Sequence, residues 1–87
     1  MSTLVTEVNP RGEDVRVTDD ELIVSLRDGR TISVPLAWFP RLLRATPAQR
    51  QHWEFLGDGE GIHWPDVDED LSVEGLLRGI RPRPPRR

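Results

Sequence analysis

Residues 22–34 place the tightest constraint on the fold. "LIVSL" at 22–26 is apolar and β-branched, "DG" follows at 28–29, and "RTISV" at 30–34 alternates, with Ile32 and Val34 on one side. Two such runs joined by Asp-Gly are the strongest local hairpin signal, because glycine accepts the positive φ that the connection needs. Upstream, Val15 and Val17 alternate with charged residues, and "TDDE" at 18–21 supplies turn chemistry. A third strand therefore precedes the hairpin, giving an antiparallel meander. Leu4, Val5 and Val8 suggest a further short edge strand near the N-terminus.

After Val34 the period changes. Leu36, Phe39, Leu42 and Leu43 follow helical spacing and define one apolar face. Pro40 belongs in a first helical turn, so this helix is expected to begin near Trp38 or Phe39. Thr46, Pro47 and Gln49 form a capping box with proline at the first helical position, which predicts a second helix from about Pro47 to His52. "WEFLG" at 53–57, the turn "DGEG" and "IHW" at 62–64 predict a C-terminal hairpin. Asp70 or Ser72 then caps a last helix presenting Val73, Leu76 and Leu77, with Gly79 ending it. The fold class expected is α+β: a small antiparallel β-sheet, three-stranded meander plus hairpin, packed against two or three short helices.

Composition sets the function classes. With 36% apolar and 31% charged residues, a chain of 87 residues suits one small globular domain, taken as residues 1–80, rather than a disordered polymer. Residues 81–87, "RPRPPRR", read as a flexible basic tail. All 12 cationic side chains are arginines, so no lysine exists for a Schiff base or a Walker-type phosphate loop. The absence of cysteine removes disulfides, thiolate nucleophiles and cysteine-ligated metals. No run approaches the roughly 20 apolar residues that span a bilayer, and the N-terminus has neither a basic start nor an apolar signal segment; the expectation is a cytoplasmic protein without a membrane role. Residues 1–80 carry a formal charge of −7 and the tail +4.

The segment "GIHWPDVDEDLSVEGLL" at 61–77 concentrates the candidate chemistry. Asp66, Asp68 and Asp70 alternate as at the start of a calcium loop, but the positions that would need glycine and a bidentate glutamate hold Leu71 and Leu77. These acids fit better in the turn and first turn of the last helix, beside its dipole, and no metal or cofactor is expected. His63 could act as a general base or zinc ligand, the centre of a metal-dependent hydrolase, yet it lacks convincing co-ligands; a structural histidine beside Trp64 is the simpler reading. Of the five aromatics, most belong to the core, with Trp38 and Trp64 as candidate interface anchors. The carboxylates of Asp66, Asp68, Glu69 and Asp70 would attract a basic partner, and Arg41 would fix it through a carboxylate. Arg81, Arg83, Arg86 and Arg87 offer a route to a nucleic-acid backbone and hence to a transcriptional regulator, although the acidic body argues against a broad nucleic-acid face. An uncovered sheet edge leaves room for a homodimer.

The succession DGR at 28–30, W-F-P-R-L at 38–42, A-T-P-A-Q-R at 45–50 and G-x-G-I-H-W-P-x-x-D-E-D at 59–70 resembles the small bacterial proteins grouped as domain-of-unknown-function family 2442. The resemblance covers about residues 13–79 and implies a small α+β fold of bacterial cytoplasmic origin without an established activity. Some relatives are fused to a helix-turn-helix domain, and their genes often neighbour one for a small toxin-like protein. By association this implies a non-enzymatic interaction module, the antitoxin-like partner of a small toxin.

Overall fold

The computed structural model describes residues 10–79. The edge strand expected around Leu4 to Val8, and the tail with Arg81, Arg83, Arg86 and Arg87, lie outside the described residues. Within them the order is β1 (Gly12–Val17), β2 (Glu21–Leu26), β3 (Thr31–Pro35), a 3₁₀ turn (Leu36–Trp38), α1 (Pro40–Leu43), α2 (Pro47–Gln51), β4 (Glu54–Leu56), β5 (Gly61–Trp64), β6 (Glu69–Ser72) and α3 (Val73–Arg78). The α+β class is borne out, but with two three-stranded antiparallel sheets, β1-β2-β3 and β4-β5-β6.

The first sheet is the expected meander, in register Val15↔Val24↔Ile32 and Val17↔Leu22↔Val34. Its Asp-Gly connection works as a three-residue loop: Gly29 N–H donates to Leu26 O at 3.1 Å, and Gly29 takes φ 97. Asp28 accepts from the Arg30 N–H at 3.0 Å and from Arg30 Nε at 2.8 Å, which fixes the loop from both sides.

The helices are shorter than their sequence pattern suggested. The first does not begin at Trp38 or Phe39: the 3₁₀ turn covers Leu36–Trp38, and α1 starts at Pro40, the position where a missing N–H costs nothing. With a single turn, α1 buries Leu42 but leaves Leu43 44% exposed, so Leu43 does not join the apolar face. The capping box of α2 is complete: the Thr46 side chain accepts from Gln49 N–H at 3.1 Å, and Gln49 Oε1 accepts from Thr46 N–H at 2.9 Å.

The largest departure is at 69–72. Asp66 and Asp68 occupy a turn, 65–68, as expected, but Asp70, placed by sequence at the helix entrance, lies in strand β6, which extends the C-terminal hairpin to three strands. Cross-strand pairing wins over helix initiation because Leu71 falls opposite Ile62 on the core side. Only Ser72 then remains to cap α3, accepting from Gly75 N–H at 3.1 Å, and Gly79 closes that helix in the left-handed region.

Both sheets face one core. Val15, Leu22, Val24, Leu26 and Val34 come from the first sheet, Ile62 and Trp64 from the second, with Leu36, Phe39, Leu42, Val73 and Leu76 between. A charged side chain closes it: Arg50 is buried, donating from Nε to Leu42 O at 3.0 Å, from Nη2 to Leu43 O at 2.8 Å and from Nη1 to Asp19 at 3.0 Å. The guanidinium thus gives Leu43 O a donor and adds a second to Leu42 O, which already accepts from Ala45 N–H at 3.1 Å. No helix among the described residues is long and apolar enough to cross a membrane.

Candidate functional site

The β5–β6 connection is a four-residue turn, Pro65 to Asp68, between the paired residues Trp64 and Glu69. Such loops close through a final residue in the left-handed region, and Asp68 takes φ 56, a conformation aspartate tolerates better than most side chains. Two side chains from neighbouring elements tie the turn down, and a third ties the strand that follows it. Arg41 of α1 donates from Nη1 to the Asp68 carbonyl at 2.5 Å. His52, which caps α2, meets the Asp66 carboxylate through Nδ1 at 3.0 Å. His63 of β5 meets the carboxylate of Asp70 through Nδ1.

Register explains the last contact. His63 stands directly opposite Glu54 on β4 and Asp70 on β6, so one cross-strand row reads Glu54, His63, Asp70 on the outer face of the second sheet. The Asp70 hydrogen bond raises the His63 pKa above its ordinary value against the opposing effect of burial, and the charges of Asp70, Glu54 and Asp68 add to the rise. Glu69 points to the other face, opposite Trp64. Burial pushes its pKa up, Arg41 opposes that shift, and the like charges of Asp70 and Asp68 reinforce it.

The structure therefore gathers Arg41, Asp66, Asp68, Glu69 and Asp70 around one turn. Trp64 does not join them as an exposed anchor. It is 0% exposed and its indole Nε1 donates to Arg50 O at 3.1 Å, so it is a core residue with its polar atom satisfied. Alternation along β5 dictates this: with Ile62 facing the core, Trp64 must too, and His63 turns outward. His63 accordingly pairs with Asp70 rather than sitting beside the tryptophan ring. Trp38 is partly buried and packs edge-on against Phe39, with ring centroids 6.4 Å apart.

Three participants escaped the sequence reading. They are His52, Glu54 and Arg50, none of which the sequence pattern singles out as a site residue. Pairing Glu54 with His63 and Asp70 needs the strand register, which the turn lengths at 57–60 and 65–68 would supply. Nothing in the local sequence marks Arg50 as buried. No group of three or more His, Asp or Glu positioned to hold a metal ion occurs among the described residues.

Comparison with known proteins agrees with this architecture. A protein of unknown function from Rhodospirillum rubrum, known from a crystal structure, matches with a TM-score of 0.74 and 36% identity, covering 85% of this chain and 92% of that one. An uncharacterised protein from Chromobacterium violaceum, known from a solution NMR structure, shares the fold with a TM-score of 0.70 at 24% identity, covering 84% of this chain and 69% of that one. No curated protein matches. Residues 13–82 match the family described as protein of unknown function (DUF2442), and the chain belongs to that family.

Proposed function

We propose that this protein is a non-enzymatic interaction module that binds a small basic protein through the carboxylates of the β5–β6 turn. The observation that carries the reading is the anchoring of that turn and of the strand after it: Arg41 and His52 hold Asp68 and Asp66 of the turn, and His63 holds Asp70 on β6. A pre-positioned acidic edge binds cations with little ordering cost, and opposite charge accelerates encounter. An antitoxin-like role, in which the partner is a small toxin, is the member of this class that the family resemblance implies.

The test is recovery of the tagged chain from its native host together with the products of flanking genes. A basic protein should co-purify in stoichiometric amount and release with rising salt. Asp66→Asn with Asp68→Asn should weaken the complex while leaving the circular dichroism spectrum unchanged. Recovery of the chain without a stoichiometric partner defeats the reading.

A further inference from the structure

The outer face of the second sheet carries a second feature beside the Glu54, His63, Asp70 row. The next row across the strands is Leu56, Gly61, Ser72. Gly61 on the central strand has no side chain, so the sheet surface dips between Leu56 and Ser72. The result is an open groove of about 410 Å³ lined by Leu56, Glu60, Gly61, Asp70 and Ser72 among others. Leu56 stands 41% exposed along it, one of two large hydrophobic side chains left so open among the described residues.

We propose that this groove seats an apolar side chain of an extended, cationic segment of a protein partner, with the basic residues of that segment meeting Glu54, Asp70 and Glu60. The proposal rests on the interaction function above and specifies the partner's recognition element. Charge complementarity selects the occupant. Glu54 and Asp70 flank the groove on one side and Glu60 on the other; Arg11 pairs with Asp58 at 2.5 Å and with Glu60 at 3.6 Å, and His63 with Asp70, but the Glu60 and Asp70 side chains stay more than 60% exposed, open to a further cation. Such a face repels a phosphate backbone and equally repels a second copy of a body whose residues 1–80 sum to −7.

Geometry adds a spacing rule. The two rows are two residues apart along β5, about 6–7 Å at a strand's rise per residue. An extended segment lying along β5 matches both rows when a basic residue stands two positions from an apolar one.

The probe is a labelled nonapeptide, Arg-Gly-Arg-Gly-Leu-Gly-Arg-Gly-Arg, titrated into the full chain at low ionic strength and followed by fluorescence anisotropy. Replacing its leucine by serine should weaken binding about tenfold, the factor expected for losing most of a buried leucine's transfer energy. Leu56→Ser in the protein, a change at an exposed position, should weaken it by a similar factor, and Glu54→Gln with Asp70→Asn should flatten its salt dependence. Equal affinity of wild type and Leu56→Ser for the leucine peptide overturns the groove assignment. So does tighter peptide binding at high ionic strength, where the tail's charge is screened, when Arg81, Arg83, Arg86 and Arg87 are all changed to Ser in the full chain, which would make the chain's own tail the occupant, or a dimer in sedimentation that Leu56→Ser dissolves. A native partner that co-purifies equally with wild type and Leu56→Ser rejects the groove while leaving the interaction function standing. Peptide binding with the predicted dependence but no native partner rejects the function and leaves the groove.

Discussion

Asp68 and His63 show how single residues set the shape and charge of the acidic turn. A β-branched residue at φ 56 pays the full steric penalty of the left-handed region, whereas glycine pays none. Asp68→Val should therefore cost about 1–2 kcal/mol in urea melts, and Asp68→Gly should be close to neutral. That result would separate the backbone role of Asp68 from its charge, since both variants remove the carboxylate. His63 gives a pH signature. Its pKa is raised by Asp70, so folding favours its protonated form. The contribution is fully present below the unfolded value of about 6.5 and is lost as pH rises through the higher folded value. Ring titration by NMR should show His63 above the ordinary value and Asp70→Asn returning it toward that value. The stability gap between wild type and Asp70→Asn should accordingly narrow as pH rises. The acids and the histidine were visible in the sequence, but the sign of this dependence was not. It follows from a cross-strand register that places His63 between Glu54 and Asp70.

At the scale of elements, local signals were legible where the determining chemistry was local. The hairpin at 22–34, the capping box of Thr46 and Gln49 and the Gly79 stop each depend on neighbours a few residues away, and each formed. Strand β6 was hidden because "DEDLS" satisfies a helix entrance as well as an edge strand; only the packing of Leu71 opposite Ile62 decides between them. The fate of Arg50 is likewise a long-range fact. Helix α1 is one turn long, and the guanidinium of the following helix reaches back to Leu43 O and adds a second donor to Leu42 O. Arg50→Ala should cost about 2–4 kcal/mol by removing the donor to Leu43 O and leaving the core edge unfilled. Arg50→Lys should recover little of it, because an ammonium cannot reproduce the planar fork. Thr46→Ala, which removes a cap at the exposed start of α2, should cost only about 1 kcal/mol. Denaturant melts of the three variants would show whether α1 is held by its own propensity or by Arg50. Equal losses from Arg50→Ala and Thr46→Ala would count against the second.

On the scale of the whole molecule, β5 is the central strand of the second sheet, and the turns at both its ends are held. The turn at 65–68 is tied to α1 and α2 through Arg41 and His52, while the turn at 57–60 docks on the first sheet. There Gly12 N–H donates to Gly59 O at 2.7 Å, and Asp58 bridges Arg11 and Arg27. The Asp58 carboxyl is held below the ordinary carboxylate range, first by the Arg27 hydrogen bond, so this tie is present at neutral pH and is lost as pH falls through the lowered value. Sequence patterning could not reveal the docking, because Gly59 in "DGEG" reads as an ordinary turn glycine. Its second duty is steric: a Cβ there would lie 2.8 Å from Gly12 O, at φ +82. Gly59→Ala should cost more than about 2 kcal/mol, and it tests whether the sheets fold as one unit. If they do, amide exchange protection of Val24 on β2 and Ile62 on β5, both buried in the shared core, should fall by the same free energy. Trp64→Phe provides an independent perturbation from the opposite end of β5. It removes the bond to Arg50 O and part of the ring volume, for about 1–3 kcal/mol, and should lower both amides together. Loss of protection at Ile62 with Val24 unchanged in either variant would mean that the second sheet opens alone, and that the shared core and the tie at 57–60 do not enforce cooperativity.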